Sequence, residues 1–477
     1  MRTLAGLFLD RSSRATLQEQ LARQVKELIQ GGALSPGDEL PSTRDVATGL
    51  GVSRNTAVNA YDRLVSEGYL EPVSRSGVFV SSSITLSPHA TWPVRPKEPR
   101  RRASPPAPPV RSPLGSPAPF RPSQPDVSLF PLLVWNRMRS RALRLEGRNL
   151  LHYQESSVAG LPALRQNVAA YLRDSRGVRC DWRQVVITSG SQQALFLLAA
   201  LLLGPRRRAY VEDPGYVEAR LAFRRTGARV VPGSVDEQGL LIPGRGGEKV
   251  SLVYTTPSRQ FPTGVSLSLA RRIALIDYAG RTGAWVVEDD YDSELRYGAA
   301  PLPSLQSLDG SGRVIYVGTF SKLLFPSLRL GYVVVPEPLL DSFVEAKHLI
   351  DDHLPLIDQA ALALFLESGA FYSHIRRCRR AYAERHALFR KLFADSDSRI
   401  EFPSTDGGMN LAGFLPAGCD DAALSRRLGS AGFDVPPLSR YAIRATRPGL
   451  LFGFTAFSPA VIRSAVSRLR RILEGGA

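Results

Sequence analysis

The sequence predicts an α/β protein preceded by a small, mainly helical module, and three observations carry that prediction. Strand-like and helical stretches alternate through "QVVITSGSQQALFLLAALLL", "RRAYVEDPGY", "VSLVYTTP", "GAWVVEDDYD", "RVIYVGTFSK" and "LRLGYVVVP", the rhythm of a largely parallel sheet. Thirteen prolines fall between Ser81 and Pro125. Ahead of them, apolar residues recur at helical spacing between glycine turns. At 477 residues the chain has material for two or three domains.

The first module begins with "TLQEQLARQVKELIQGGAL", where Leu17, Leu21, Val25, Leu28 and Ile29 line one helix face and Gly31–Gly32 end it. Two shorter helices follow. Ser42 caps one carrying Val46, Ala47 and Leu50; a turn passes through Gly51; Ser53 caps the next, carrying Ala57, Val58, Tyr61 and Leu64. Two short helices joined by a glycine turn make a helix-turn-helix. "GYLEPVSRSGVFV" then reads as two short strands about a Ser-Gly turn, a wing.

Proline cannot supply amide donors, so the segment 81–125 is expected to form an extended, semi-rigid tether. It carries seven basic residues against Glu98, whereas residues 1–80 hold nine basic and nine acidic ones. The net charge of +17 therefore does not by itself locate a DNA-binding module. No apolar run reaches the length of a bilayer span, because "ALFLLAALLLG" closes on Gly204, Pro205 and three arginines. The amino terminus lacks the pattern of a signal peptide. Cys180, Cys378 and Cys419, odd in number and far apart, suggest neither disulfides nor a zinc site, and a reducing cytoplasm is the expected location.

In parallel sheets ligands gather at the carboxyl ends of the strands, where the polar clusters of the large part fall. Together they meet the needs of a pyridoxal-phosphate site. Lys322 of "GTFSK" is the amine. Asp289 can face the ring nitrogen, and Tyr291, two residues on, can reach the phenolic oxygen. Ser189, Gly190 and Ser191 precede a helix whose first amides suit a phosphate, Arg329 can close on the same phosphate, and Tyr216 can stack on the ring.

Residues 14–80 resemble the GntR-type winged helix, on "LPSTRDVATGLGVSRNTAVNAYDRLVSEGYL" and "SRSGVFV". The resemblance implies a recognition helix that offers Ser53, Arg54, Asn55 and Thr56 to the major groove of double-stranded DNA. Arg44, Arg75 and Gly77 would contact backbone or minor groove. Residues 126–477 resemble fold-type-I aminotransferases, with a small carboxyl-terminal subdomain from about 370. Within that group "TPSRQFPTG", "VEDDYDSELRYG" and "GTFSKLLFPSLRLGY" look like the MocR-type regulators, in which the two parts are fused.

That resemblance makes Lys322 the Schiff-base lysine, adds Thr319 and Ser321 to the cofactor contacts, and implies a head-to-tail homodimer that reads two operator half-sites. Pyridoxal phosphate, or a small amino compound, would be the effector, and the output transcription control. A genuine aminotransferase with an accessory DNA-binding domain is the alternative. Two positions depart from the family pattern: Arg259 stands where a histidine is common, and Leu451 where many relatives carry a carboxylate-gripping arginine. Arg259, Arg440 and Arg444 are the candidates for contact with an effector.

Overall fold

The computed structural model describes residues 7–13, 15–73, 77–83, 117–244, 249–297, 303–394, 400–405 and 407–474. Arg75 and residues 84–116 of the expected tether lie outside them. The chain divides into two compact units, Met1–Arg111 and Ser112–Ala477.

In the first unit, helices α1 (Leu17–Gln30), α2 (Thr43–Gly49) and α3 (Arg54–Ser66) accompany strands β1 (Glu39–Leu40), β2 (Leu70–Val73) and β3 (Gly77–Val80). The strands form an antiparallel sheet in the order β1-β3-β2. Each helix starts where its sequence says: Thr16 and Glu19 form a reciprocal capping box, Ser42 Oγ accepts from the Asp45 amide, and Ser53 Oγ from the Thr56 amide. Leu21, Val25 and Ile29 of α1 are buried with Val46 of α2, Ala57, Tyr61 and Leu64 of α3, and Leu70 and Val80 of the wing. Tyr61 also satisfies its hydroxyl on the Pro41 carbonyl at 3.0 Å, so the start of α2 is tied to α3.

The second unit is built on an eight-stranded sheet: β4 (Val185–Thr188), β5 (Arg208–Asp213), β6 (Arg229–Asp236), β7 (Gly239–Leu240), β8 (Leu252–Thr255), β9 (Trp285–Asp290), β10 (Val314–Thr319) and β11 (Gly331–Val334). Their order is β4-β11-β10-β9-β8-β5-β6-β7, parallel from β10 through β6 and antiparallel around β11 and at β7. The strands β4, β8, β9 and β10 are almost wholly buried, as expected of a sheet covered on both faces. The reversal of β11 has a local consequence. Arg329 precedes its strand where the other clusters follow theirs, and only an antiparallel β11 brings it to the same edge.

A second, two-stranded sheet, β12 (Asn410–Phe414) with β13 (Gly449–Gly453), anchors the small subdomain. Helix Ala370–Ala394 joins the two parts: Phe371, Ile375, Cys378 and Tyr382 lie in the core against the large sheet, and Phe389 and Phe393 in the aromatic core of the small subdomain. The boundary expected near 370 thus falls inside one continuous helix.

The tether ends earlier than the proline content implies. Residues 117–125 are packed rather than extended in solvent: Phe120 is fully buried among Phe389, Phe433, Phe452 and Phe457. An aromatic side chain with a prepared cage outweighs the local preference of its proline neighbours.

Candidate functional site

Five strand termini meet at one edge of the large sheet, and the side chains named from the sequence meet there with them. Lys322 lies in the turn after β10, where its ammonium donates to the Ser123 carbonyl at 3.0 Å. Asp289, near the end of β9, is buried and accepts from the Tyr254 hydroxyl at 2.7 Å through Oδ2. Its neighbours alternate away from it: Asp290 turns to the opposite face, to Arg176 at 2.8 Å and the Tyr316 hydroxyl at 2.5 Å. Burial pushes the Asp289 carboxyl from its ordinary 3.8 up to about 7, opposed by the Tyr254 hydrogen bond and the nearby Lys322 charge. Its second oxygen, Oδ1, is buried without a hydrogen-bond partner, as is the Ser321 hydroxyl. A buried carboxylate oxygen left unmet is costly, which makes this the site's most informative atom.

At the end of β4, Ser189 stands at the start of helix Gly190–Leu202. Gly190 has φ +74°, and a Cβ there would lie 3.2 Å from the Arg329 guanidinium. Arg329 itself sits at φ +52° and donates to the Ser189 carbonyl at 2.9 Å. A helix amino terminus and a guanidinium thus share one small space, a favourable seat for an anion. Thr319 closes β10 and takes the Ser321 amide on its hydroxyl at 3.2 Å, which fixes the turn that carries Lys322.

The remaining wall is aromatic. Phe261 is edge-on to Tyr216 at 5.9 Å, to Tyr291 at 6.0 Å and to Tyr441 at 5.2 Å. Burial raises the hydroxyl pKa of Tyr216 and of Tyr291, so both are held as neutral donors. Glu212 positions Phe261: its carboxylate accepts from both hydroxyls of Thr255 and Thr256 at 2.6 Å, from the Thr256 amide at 2.9 Å and from Gln260 at 3.1 Å.

Two family descriptions match the chain, "Bacterial regulatory proteins, gntR family" over residues 17–80 and "Aminotransferase class I and II" over residues 129–447. The probable rhizopine catabolism regulatory protein MocR of Rhizobium meliloti is 37% identical, over 97% of this chain and 95% of that protein. The pyridoxine biosynthesis transcriptional regulator PdxR of Corynebacterium glutamicum is 31% identical, over 95% of both chains. Among solved structures, the α-aminoadipate aminotransferase LysN of Thermus thermophilus, complexed with N-(5'-phosphopyridoxyl)-L-leucine, superposes with a TM-score of 0.69. It is 31% identical and covers 75% of this chain and 92% of LysN. The chain belongs to the MocR-type transcriptional regulators.

In this MocR-type chain the three arginines expected at the effector end are placed differently from one another. Arg259 is buried, 3.7 Å from Asp292, and Gly408 packs against it so closely that a Cβ would lie 2.4 Å from its Nε. Arg440 and Arg444 are exposed, on a segment whose backbone is clamped to the "EDPGY" loop: Gly215 donates to the Tyr441 carbonyl at 3.1 Å, and Asp213 accepts from the Ile443 and Arg444 amides at 2.6 and 3.0 Å. In the winged helix, Arg44, Ser53, Arg54 and Asn55 are exposed. Ser53 and Thr56 share a hydrogen bond at 2.8 Å through their hydroxyls. Gly77 opens β3 at φ +121°, a conformation that suits glycine.

Sequence reasoning missed three participants. Tyr254 reads as an ordinary strand aromatic. Ser123 falls in the proline-rich stretch and Asn410 in an apolar strand. Asn410 accepts from the Ser123 amide at 2.6 Å and donates to its hydroxyl at 3.0 Å, so residue 410 holds in place the carbonyl that holds Lys322. Among the described residues no helix is long and apolar enough to cross a membrane, and no group of His, Cys, Asp or Glu could hold a metal ion.

Proposed function

We propose that residues 126–477 bind pyridoxal 5'-phosphate at the sheet edge and that occupancy of Lys322, by the cofactor and by an amine exchanging with it, sets how a homodimer of this regulator engages its DNA operator. The observation that carries the reading is the buried, unpartnered Oδ1 of Asp289 beside Lys322. A protonated ring nitrogen is the group that would satisfy both its missing hydrogen bond and its missing counter-charge.

The other residues fit the same cofactor. Ser189, Gly190 and Ser191 at the helix start, with Arg329, would take the phosphate; Gly190 leaves room there that a side chain would fill. Tyr216 supplies the flat partner for the ring and Tyr291 a hydroxyl for its phenolic oxygen. Thr319 holds the Lys322 turn, and the unmet Ser321 hydroxyl is available to the cofactor. When bound, pyridoxal phosphate supplies an aldehyde that condenses reversibly with primary amines. Lys322 is the resident amine, and Asp289 keeps the proton on the ring nitrogen.

Transmission to the DNA reader is routed through residues 117–126. The ammonium of Lys322 pins the Ser123 carbonyl, and that segment continues in sequence, through the tether, to the winged helix. An amine engaged elsewhere cannot hold that carbonyl, so occupancy and the state of the strap are linked. At the DNA, Arg54 and Asn55 would read base edges in the major groove, with Ser53, Thr56, Arg44, Arg75 and Gly77 on backbone and minor groove.

Large apolar side chains left exposed on the second unit support the dimer: Leu132, Leu133, Leu151, Tyr153, Leu349 and Ile350. The Tyr153 ring lies 6.0 Å from His353, so the groups around 151 and 350 adjoin. The place of action is the cytoplasm, with the DNA.

The test combines a spectrum with a retardation assay. Protein incubated with pyridoxal phosphate and then desalted should retain a chromophore that Lys322→Ala lacks, and the two proteins should differ in affinity for the regulator's own upstream DNA. A parent that retains no chromophore, or a Lys322→Ala variant with unchanged DNA binding in the presence of the cofactor, would refute the reading.

A further inference from the structure

The small sheet forms the side of the site opposite the cofactor seat, and its two faces differ sharply. Residues on a strand alternate between faces. Leu411, Leu450 and Phe452 enter the aromatic core of the small subdomain. The other face carries Asn410, Ala412, Leu451 and Gly453, paired across the strands as Asn410 with Gly453 and Ala412 with Leu451. That second face is the one turned to Lys322. Asn410 holds Ser123, and Ala412 and Leu451 cluster with Leu438 and Tyr441 against Phe261 and Val217. The face presents one amide, hydrocarbon and no charge.

The ionised groups around it do not make up for that. Those closest in effect to the Tyr216 hydroxyl are Glu218, Asp289 and Arg329; those around Tyr291 are Asp292, Arg259, Glu212 and Asp289. Acids outnumber cations on both sides. Of the two arginines, Arg329 faces the anion seat at Ser189, and Arg259 is buried beside Asp292. Arg121, on the strap that covers Gly453, reaches instead to Asp434 at 3.5 Å. A carboxylate brought in beside Lys322 would lose its hydration against Leu451 and Phe261 and gain no cation in exchange.

We infer that the effector that exchanges at Lys322 is a primary amine with an apolar or aromatic body and no acid group, and that Leu451 is the residue which sets this preference. The inference rests on the proposed amine exchange and deepens it. A neutral body gains from contact with Leu451, Phe261 and Tyr441.

The test uses the full chain loaded with pyridoxal phosphate and matched pairs that differ by one carboxylate: 2-phenylethylamine against L-phenylalanine, and butylamine against 4-aminobutyrate. Dissociation constants come from calorimetry, independently of any turnover. The expected result is at least tenfold tighter binding of the acid-free member of each pair. Leu451→Arg should narrow or reverse the ranking, and Leu451→Met, which keeps the volume and the apolar character, should preserve it. Because the first comparison uses the parent protein, misfolding of Leu451→Arg leaves it intact. Tighter or equal binding of the acids by the parent, or binding of neither member, overturns the inference. Failure to retain any chromophore defeats the cofactor reading instead, so the two failures are distinguishable.

Discussion

Replacing Asp289 by asparagine should move cofactor affinity and cofactor-free stability in opposite directions. The unfolded carboxyl titrates near 3.8, whereas burial holds the folded one near 7. The folded state therefore keeps a proton that the unfolded state has released. The stability linked to this group is complete below about pH 3.8, falls as pH rises, and is fully lost above about pH 7. At roughly 1.4 kcal/mol per pH unit, the loss is of order 2 kcal/mol at pH 5.5 and of order 4 kcal/mol at pH 8. Asparagine does not titrate, and its amide oxygen can keep the Tyr254 hydrogen bond. Its NH2 group takes the place of the unpartnered Oδ1 and costs roughly 1–3 kcal/mol as an unmet donor. The cofactor-free variant should thus be about 1–3 kcal/mol more stable than the parent at pH 8, a rise of a few degrees in Tm, with the advantage gone near pH 4.5. With pyridoxal phosphate the order reverses, because only the carboxylate offers the ring nitrogen a counter-charge. Thermal unfolding of both proteins at several pH values, with and without cofactor, is the assay. A variant no more stable than the parent at pH 8, or one whose advantage is equal at pH 4.5 and pH 8, would refute the argument.

Three further predictions follow from the geometry. Gly190→Ala places a methyl 3.2 Å from the Arg329 guanidinium at a φ of +74°; affinity for pyridoxal phosphate, measured by fluorescence titration, should fall at least tenfold while the winged helix still binds DNA. Arg54→Ala should weaken specific DNA binding by about 1–3 kcal/mol and relax sequence preference, whereas Arg44→Ala should weaken all sequences alike and lower the salt slope by about 1; gel retardation at graded salt separates them. Asn410→Ala removes both hydrogen bonds to Ser123 and should make the DNA affinity less responsive to cofactor, with the cofactor spectrum retained.

Legibility in the sequence followed the range of the interactions. Ser42 and Ser53 cap their helices because a cap is decided within three residues. Lys322, Asp289, Tyr291, Tyr216 and the Ser189 turn could be picked out because each ends a strand, and parallel strands deliver their carboxyl ends to one edge. Arg329 reached that edge for a reason the local sequence does not state, the antiparallel insertion of β11 between β4 and β10. The strap was illegible for the same reason in stronger form. Lys322 meets a carbonyl 199 residues away, and Ser123 meets Asn410 at a separation of 287. Backbone carbonyls have no sequence signature, and the proline run around Ser123 signals the opposite of a packed segment. Phe120, the one aromatic residue in the last part of that run, was the available clue.

The strap is built so that a small energy can move it. On one side of Ser123, Phe120 is locked into its aromatic cage. On the other, the Asp126 carboxylate holds Arg385 at 2.7 Å and its amide donates to the Tyr382 hydroxyl at 2.9 Å. Between these anchors Phe120 and Ser123 sit at φ +64° and +59°, in the left-handed region that non-glycine residues enter at a cost of roughly 1–2 kcal/mol each. What offsets that cost at Ser123 is the pair of Asn410 hydrogen bonds and the charged one from Lys322, the last worth about 1.5–3 kcal/mol. Withdrawing the lysine therefore shifts the balance between a held and a relaxed strap by one to two factors of ten, the size of ordinary allosteric couplings. The same withdrawal leaves Phe120 and Asp126 in place, so the change is confined to the few residues between them and delivered to the chain leading to the winged helix.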